Sequence, residues 1–240
     1  MKTIVPDYYN SFKCIADKCK NTCCVGWEID IDEKSLARLK KHPEIANEIE
    51  YGETPHFKLL TGERCPFLTE KGLCSLIDIY GENILCDICR DHPRFRNYWS
   101  DRVELGLGLV CEEAARIILQ KKTPMKLVEF SNDRIETQPL SDEEQYLLNL
   151  RDNLLSNITE KGALARLKEY LIYRHLPDAL YDDRLQERIN FINNSFNEIK
   201  EMYLKTDGSI NSLVNIVIKW SYDVEYDDEE FEKRLEKAID

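Results

Sequence analysis

The sequence predicts a mainly α-helical protein with a cysteine-rich, metal-binding N-terminal region containing a small β-hairpin, followed by a C-terminal helical bundle. Three observations predict it. All nine cysteines of the 240 residues lie between Cys14 and Cys111. Beyond residue 140, apolar residues recur every three or four positions, which places them on one helical face. Before residue 120 the candidate elements are short, as expected where something besides a broad apolar core holds the chain. The divisions follow: 1–120 cysteine-rich, 121–140 connecting, 141–240 helical.

In chain order, "DEKSLARLKKH" and "PEIANEIEYG" read as short helices separated at Pro43, since proline opens a helix more readily than it continues one. "RCPFLTEKGLCSLI" reads as the hairpin, with Gly72 in its turn, and "RVELGLGL" as a strand. "CEEAARIILQ" opens a helix at Cys111. In the connecting segment two prolines and polar clusters interrupt helical periodicity, and "KLVEF" has strand character. Ser141 followed by Glu144 forms a capping-box signature. Tyr146, Leu147, Leu150, Leu154 and Ile158 make one apolar stripe, and Leu164, Leu167 and Leu171 the next. The longest helix follows Pro177, with Leu185, Ile189, Ile192, Phe196, Ile199 and Tyr203 on its stripe. Asp207 and Gly208 turn the chain into a helix bearing Ile210, Leu213, Val217 and Trp220, and an acidic helix runs from about Asp228 through Leu235. Helix packing accounts for these stripes without a cofactor.

Composition narrows the function. A net charge of −12, with no basic excess in either half, argues against a nucleic-acid partner, because phosphate affinity comes largely from lysine and arginine. The opening "MKTIVPDYYNSFKC" has no apolar run of signal length, and "GLGLVCEEAARIILQ" is interrupted by Glu112, Glu113 and Arg116, so the expected location is cytoplasmic, with no membrane partner. In a reducing compartment, clustered cysteines bind metal or perform redox work more often than they form lasting disulfides. Nine thiols cannot all pair within one chain.

The spacings are Cys14-x4-Cys19-x3-Cys23-Cys24, Cys65-x8-Cys74, Cys86-x2-Cys89 and Cys111. Only Cys86-x2-Cys89 is a strong local signal, since two thiolates on one turn can meet one metal, as in zinc and iron–sulfur sites. Adjacent Cys23 and Cys24 point different ways in most backbones. All nine are metal-ligand candidates. Structural zinc, an iron–sulfur cluster (a 4Fe–4S cluster foremost), and burial of one or two as small hydrophobes remain open readings. A radical-type C-x3-C-x2-C loop is absent, because Gly26 stands where its third cysteine belongs. At the start of its helix, Cys111 meets the positive end of the helix dipole, which favours thiolate.

The strings "PDYYNSFKCIADKCKNTCCVGWEIDID" (6–32), "CPFLTEKGLCSL" (65–76) and "CDICRDHPRF" (86–95) resemble the flagellin lysine N-methylase family, within a wider group of cysteine-rich zinc- or iron-chelating proteins. The resemblance covers roughly the first half of the chain. It implies methyl transfer from S-adenosylmethionine to flagellin lysines, with the cysteine region holding a metal or iron–sulfur centre. His92, Arg90 and Arg94 are then the candidate catalytic residues. Trp27 and Trp99 are candidate cofactor-binding residues; with Tyr8, Tyr9 and Tyr98 they flank the motifs and can wall an amine through cation–π contact. Core packing explains each aromatic equally well. No glycine-rich strand-turn-helix of the Rossmann type is present, and "GLGLV" lacks its pattern. Two other classes compete: a non-catalytic metal or cluster carrier, and a zinc-stabilised interaction module.

Overall fold

The computed structural model describes residues 1–132 and 136–239, so positions 133–135 of the connecting segment lie outside the described residues. The fold is mainly helical with few strands. It divides into two compact units, one formed by Met1–Lys13 and Pro93–Asp240, the other by Cys14–His92.

The first unit is built on a four-stranded sheet and a helical layer. Strands β1 (Lys2–Pro6), β4 (Arg94–Tyr98), β5 (Arg102–Leu107) and β6 (Leu127–Asn132) lie in the order β4-β5-β1-β6. Strands β4 and β5 form an antiparallel hairpin, β1 runs parallel to β5, and β6 runs antiparallel to β1. This sheet draws together strands from segments that the sequence division kept apart. Residues 1–13 and 93–120 join the helical unit because their backbone hydrogen bonds are made with one another and with β6, not within the cysteine-rich segment.

Six helices follow the periodic stripes: α5 (Glu112–Gln120), α6 (Asp142–Ser156), α7 (Gly162–His175), α9 (Leu185–Leu204), α10 (Ile210–Trp220) and α11 (Asp228–Glu236), with a short α8 (Ala179–Asp182) between α7 and α9. Helix α5 packs on α7 and α10, and α7 on α9. Between them lie Ala114, Ile118, Leu167, Leu171, Ile199, Leu213 and Val217, all at most 1% exposed. Each large aliphatic removed from water contributes about 1.5–3 kcal/mol, so this layer carries much of the unit's stability. Ser141 and Glu144 form the expected capping box at the start of α6. A π-helical turn, Ser221–Glu225, follows α10.

The glycines of "GLGLV" have local reasons to be there. A Cβ on Gly106 would overlap the ring of Phe95, its partner across the β4–β5 hairpin, and one on Gly108 would come within 3.3 Å of the Pro93 carbonyl.

The second unit has its own small core of Ile29, Ile31, Leu39, Ile45, Ile49, Phe57, Leu76 and Ile84, which also includes Cys65 and Cys86. Its elements are α1 (Glu33–Leu39), α2 (Pro43–Ala46), the two-residue strands β2 (Ile49–Glu50) and β3 (His56–Phe57), α3 (Ser75–Tyr80) and α4 (Asp87–Asp91). "PEIANEIEYG" is therefore helical only over α2 before Ile49 and Glu50 pair with β3. The hairpin expected at 64–77 contracts to a turn with one bridge, Leu68 to Cys74, and the two-stranded ladder of this unit is instead β2–β3. Beyond that bridge, Ser75 donates its amide to the Phe67 carbonyl and the chain enters α3. Gly72, at φ 73°, supplies the left-handed turn.

Candidate functional site

The second unit gathers thiols from three segments. Residues 24–26 run beside 63–65, with the Cys65 amide donating to the Cys24 carbonyl at 2.9 Å and the Gly26 amide to the Glu63 carbonyl at 3.0 Å, so Cys24 and Cys65 become neighbours. The Leu68–Cys74 bridge folds Cys74 back toward the same segment. Cys86 precedes α4 and Cys89 lies on its first turn, which puts their sulfurs 3.4 Å apart.

Electrostatics tie these groups together. The Cys24 thiol is lowered to about 7, first by a hydrogen bond with Cys23, against burial, and further by Thr22 and the charge of Arg64. Cys65 is pushed up to about 12 by burial, and neighbouring Cys24, Cys74 and Cys86 add to the rise. Burial also raises Cys74. Within the Cys86–Cys89 pair the shared hydrogen lowers Cys86 and raises Cys89, and Cys24 and Cys65 raise Cys89 further. Burial at Cys65 and Cys74, and the bond with Cys86 followed by burial at Cys89, thus hold these three back from ionising beside the more readily ionised Cys24 and Cys86, and a bound cation is the ordinary way to let such thiolates coexist.

Sulfur donors of this kind suit zinc or iron–sulfur iron. Two sulfurs on one tetrahedral zinc stand about 3.8 Å apart, given Zn–S bonds of roughly 2.3 Å, and the Cys86–Cys89 separation is close to that. Among the described residues, no three His, Cys, Asp or Glu groups converge as a metal-ion site. The pair therefore fits a thiophilic metal, while a complete ligand set is not assembled in this arrangement.

The remaining sequence candidates are distributed more widely. Cys14 and Cys23 are exposed, and Cys19 donates to the Asn21 carbonyl at 2.7 Å. Trp27 is half-buried against the second unit's core, donates its indole N–H to the Cys23 carbonyl at 2.9 Å, and faces His92 with ring centroids 6.3 Å apart. Arg90 pairs with Asp87, both largely exposed, an arrangement worth little energetically. Cys111, Arg94 and Trp99 belong to the first unit. Cys111 stands at the N-cap position of α5 there, where "CEEAARIILQ" is expected to open a helix, with no side-chain cap bond. Arg94 lies over the rings of Tyr9 and Phe12, at 5.7 and 5.2 Å from their centroids. Trp99 is 5% exposed beneath the guanidinium of Arg151, which makes a two-pronged ion pair with buried Glu104.

One contributor escaped the sequence reading. Arg64 donates to the carbonyls of Leu68 and Thr69 at 2.8 and 2.7 Å, fixing the loop after Cys65, while its charge favours the Cys24 thiolate. Its signal was a basic residue directly before a cysteine.

No family model matches the chain. A lysine-N-methylase of Salmonella choleraesuis (strain SC-B67) is 27% identical over 187 residues, covering 70% of this chain and 46% of that protein. A lysine-N-methylase of Salmonella typhimurium (strain LT2) is 26% identical over the same shares. The flagellar biosynthetic protein FliU of Salmonella muenchen is 25% identical over 138 residues, 52% of this chain and 80% of that protein. No solved structure matches. The chain spans about half the length of the two lysine-N-methylases it matches. Among the described residues no helix is long and apolar enough to cross a membrane. By sequence, the chain is a distant relative of proteins named for lysine N-methylation and for flagellar biosynthesis.

Proposed function

We propose that this chain serves protein-lysine N-methylation, with flagellin as the protein substrate and S-adenosylmethionine as the methyl donor. The observation that carries the reading is its similarity, over 187 residues, to two proteins named lysine-N-methylase. In the reaction a neutral lysine amine attacks the sulfonium methyl. A nitrogen–carbon bond forms, a carbon–sulfur bond breaks, S-adenosylhomocysteine leaves, and the amine sheds its extra proton.

Within this reading the second unit holds a metal or iron–sulfur centre through Cys86 and Cys89, supplemented by Cys24 and Cys65. Such a centre supplies positive charge and fixes three separate segments together. His92 and Trp27 stand side by side next to these thiols in sequence and share one aromatic contact, so they are the best placed of the motif residues to receive a proton and to wall an amine. Arg90 is exposed enough to meet an anionic group if it leaves Asp87. Arg94 and Trp99 are occupied by packing in the first unit and are assigned supporting roles.

A second reading, a metal or cluster carrier without transferase activity, draws on the density of thiols in Cys14–His92. Incubating the full chain, purified anaerobically, with unmodified flagellin and S-adenosylmethionine separates the two. Mass spectrometry should show lysines gaining methyl increments. Unmodified lysines together with bound iron or zinc would favour the carrier.

A further inference from the structure

Helix α1 grips the backbone on both sides of Cys86. Asp32, its N-cap, accepts the Ser35 amide on Oδ1 and the Asp87 amide on Oδ2, each at 2.9 Å. Near the other end of α1, Arg38 Nη2 donates to the Leu85 carbonyl and to Ser35 Oγ, both at 2.8 Å. The residues before and after Cys86 are therefore each tied to a charged side chain of one helix. Helix α1 is itself anchored, since Leu39 and Ser35 are at most 1% exposed.

The Asp32 contact also reaches the start of α4. Cys86 stands at the N-cap of α4, and the first amide of that helix, on Asp87, is taken by the Asp32 carboxylate rather than by the thiol. Asp32 makes that contact across 55 positions of sequence. The Cys86 sulfur is left to face Cys89.

We propose that Asp32 and Arg38 are positioning residues for the Cys86–Cys89 thiol pair, holding the peptides that flank Cys86 so that its sulfur is presented to the ion or cluster the pair ligates. The metal part rests on the reading of the pair given above; the positioning part does not. Asp32 closes the string "GWEIDID", and Asp32 at the N-cap with Glu33 in the first turn is a helix-start signature.

The test uses the full 240-residue chain as wild type, Asp32→Asn and Asp32→Ala. Amide exchange is followed at residues 35 and 87, and cobalt(II) is titrated through its thiolate charge-transfer band. An asparagine offers one carbonyl oxygen in place of two carboxylate oxygens, so it can serve one amide only. Expected for Asp32→Asn is exchange at Asp87 faster by about tenfold, as for loss of one charge-assisted hydrogen bond, while the remainder of Cys14–His92 keeps its protection. Cobalt affinity should weaken by roughly tenfold or more, in the range for partners that orient a ligand. Asp32→Ala should lose protection at both amides. Unchanged exchange at Asp87, or equal loss across the whole unit in both variants, overturns the proposal. If wild type gives no thiolate–cobalt band, the metal reading of the pair fails, and the exchange at Asp87 still decides the positioning.

Discussion

The imidazole Nε2 of His175 lies 2.8 Å from a carboxylate oxygen of Glu225, and both side chains are 2% exposed. The π-helical turn that ends at Glu225 also brings it the Ser221 hydroxyl, and Tyr170 donates to the same carboxylate at 2.8 Å. Burial would raise the Glu225 carboxyl, but the His175 hydrogen bond, the nearby charge of Arg174 and Ser221 hold it below the ordinary value. Burial lowers His175, so it donates as a neutral ring.

Both shifts have the same consequence in acid. A group whose pKa is depressed on folding stabilises the fold above its unfolded pKa, and that stability disappears as pH falls through the folded value. Melting temperature should therefore be highest above about pH 6.5, fall as His175 is forced to charge, and fall again below about pH 4.5 as Glu225 protonates. Glu225→Gln should cost about 1.5–3 kcal/mol at neutral pH, because the hydrogen bonds from His175, Tyr170 and Ser221 lose their charged acceptor, and should flatten the lower limb of the profile. Melting curves from pH 4 to 8 check both; a wild-type profile flat across that range would contradict the assignment.

Gly106 provides a sharper mechanical test. Phe95 is packed against Tyr170 and Tyr173, with ring centroids at 6.3 and 5.9 Å, and the Arg174 guanidinium sits 4.4 Å from its centroid. The ring has little room to withdraw. Gly106→Ala should cost about 1–3 kcal/mol by overpacking. Gly108→Ala, whose new methyl meets its nearest neighbours at 3.3 and 3.4 Å, should cost less. Equal melting temperatures for the two variants would mean that Phe95 yields easily.

What the sequence disclosed divides along physical lines. The stripes from Leu147 to Trp220 were legible because a helix satisfies its own backbone and writes its burial into local spacing. Cys86-x2-Cys89 was legible for the same reason, since one turn brings the sulfurs together. Strand β1 was not: "KTIVP" is five residues long and finds its partners at 102–104 and 127–132, which no local pattern announces. Nor could spacing reveal that Cys24 meets Cys65 through a pairing of loops, that Asp32 accepts an amide at the start of a helix far along the chain, or that Trp99 lies under Arg151.

The capping box offers a prediction in which the sequence signature and an unforeseen contact separate. Glu144 accepts the Ser141 amide at 2.7 Å as the signature requires, and its other oxygen accepts the amide and hydroxyl of Ser100 at 2.7 and 3.0 Å. Ser141→Ala removes the cap alone and should cost about 1 kcal/mol. Glu144→Ala also unpairs the turn between β4 and β5, so its cost should be clearly larger. Chemical denaturation of both variants measures the difference, and equal losses would show that the Ser100 contacts contribute nothing.

The thiols carry the last prediction. Cys86 is 1% exposed within the second unit's core and lies 3.4 Å from Cys89, whereas Cys14 is exposed and Cys111 belongs to the other unit. If the close pair ligates a metal or cluster, Cys86→Ser together with Cys89→Ser should lower zinc or iron content in anaerobically purified protein. It should also destabilise Cys14–His92 selectively, because metal binding free energy is folding free energy for a unit with so small a core. Cys14→Ser and Cys111→Ser should leave both quantities nearly unchanged. Metal analysis beside limited proteolysis distinguishes the outcomes: loss of metal with new cleavage confined to 14–92 supports ligation, while unchanged metal content in the double variant would reduce Cys86 and Cys89 to packing residues. Serine keeps the size of the side chain but not its soft donor, so a loss of metal reports sulfur chemistry rather than a cavity.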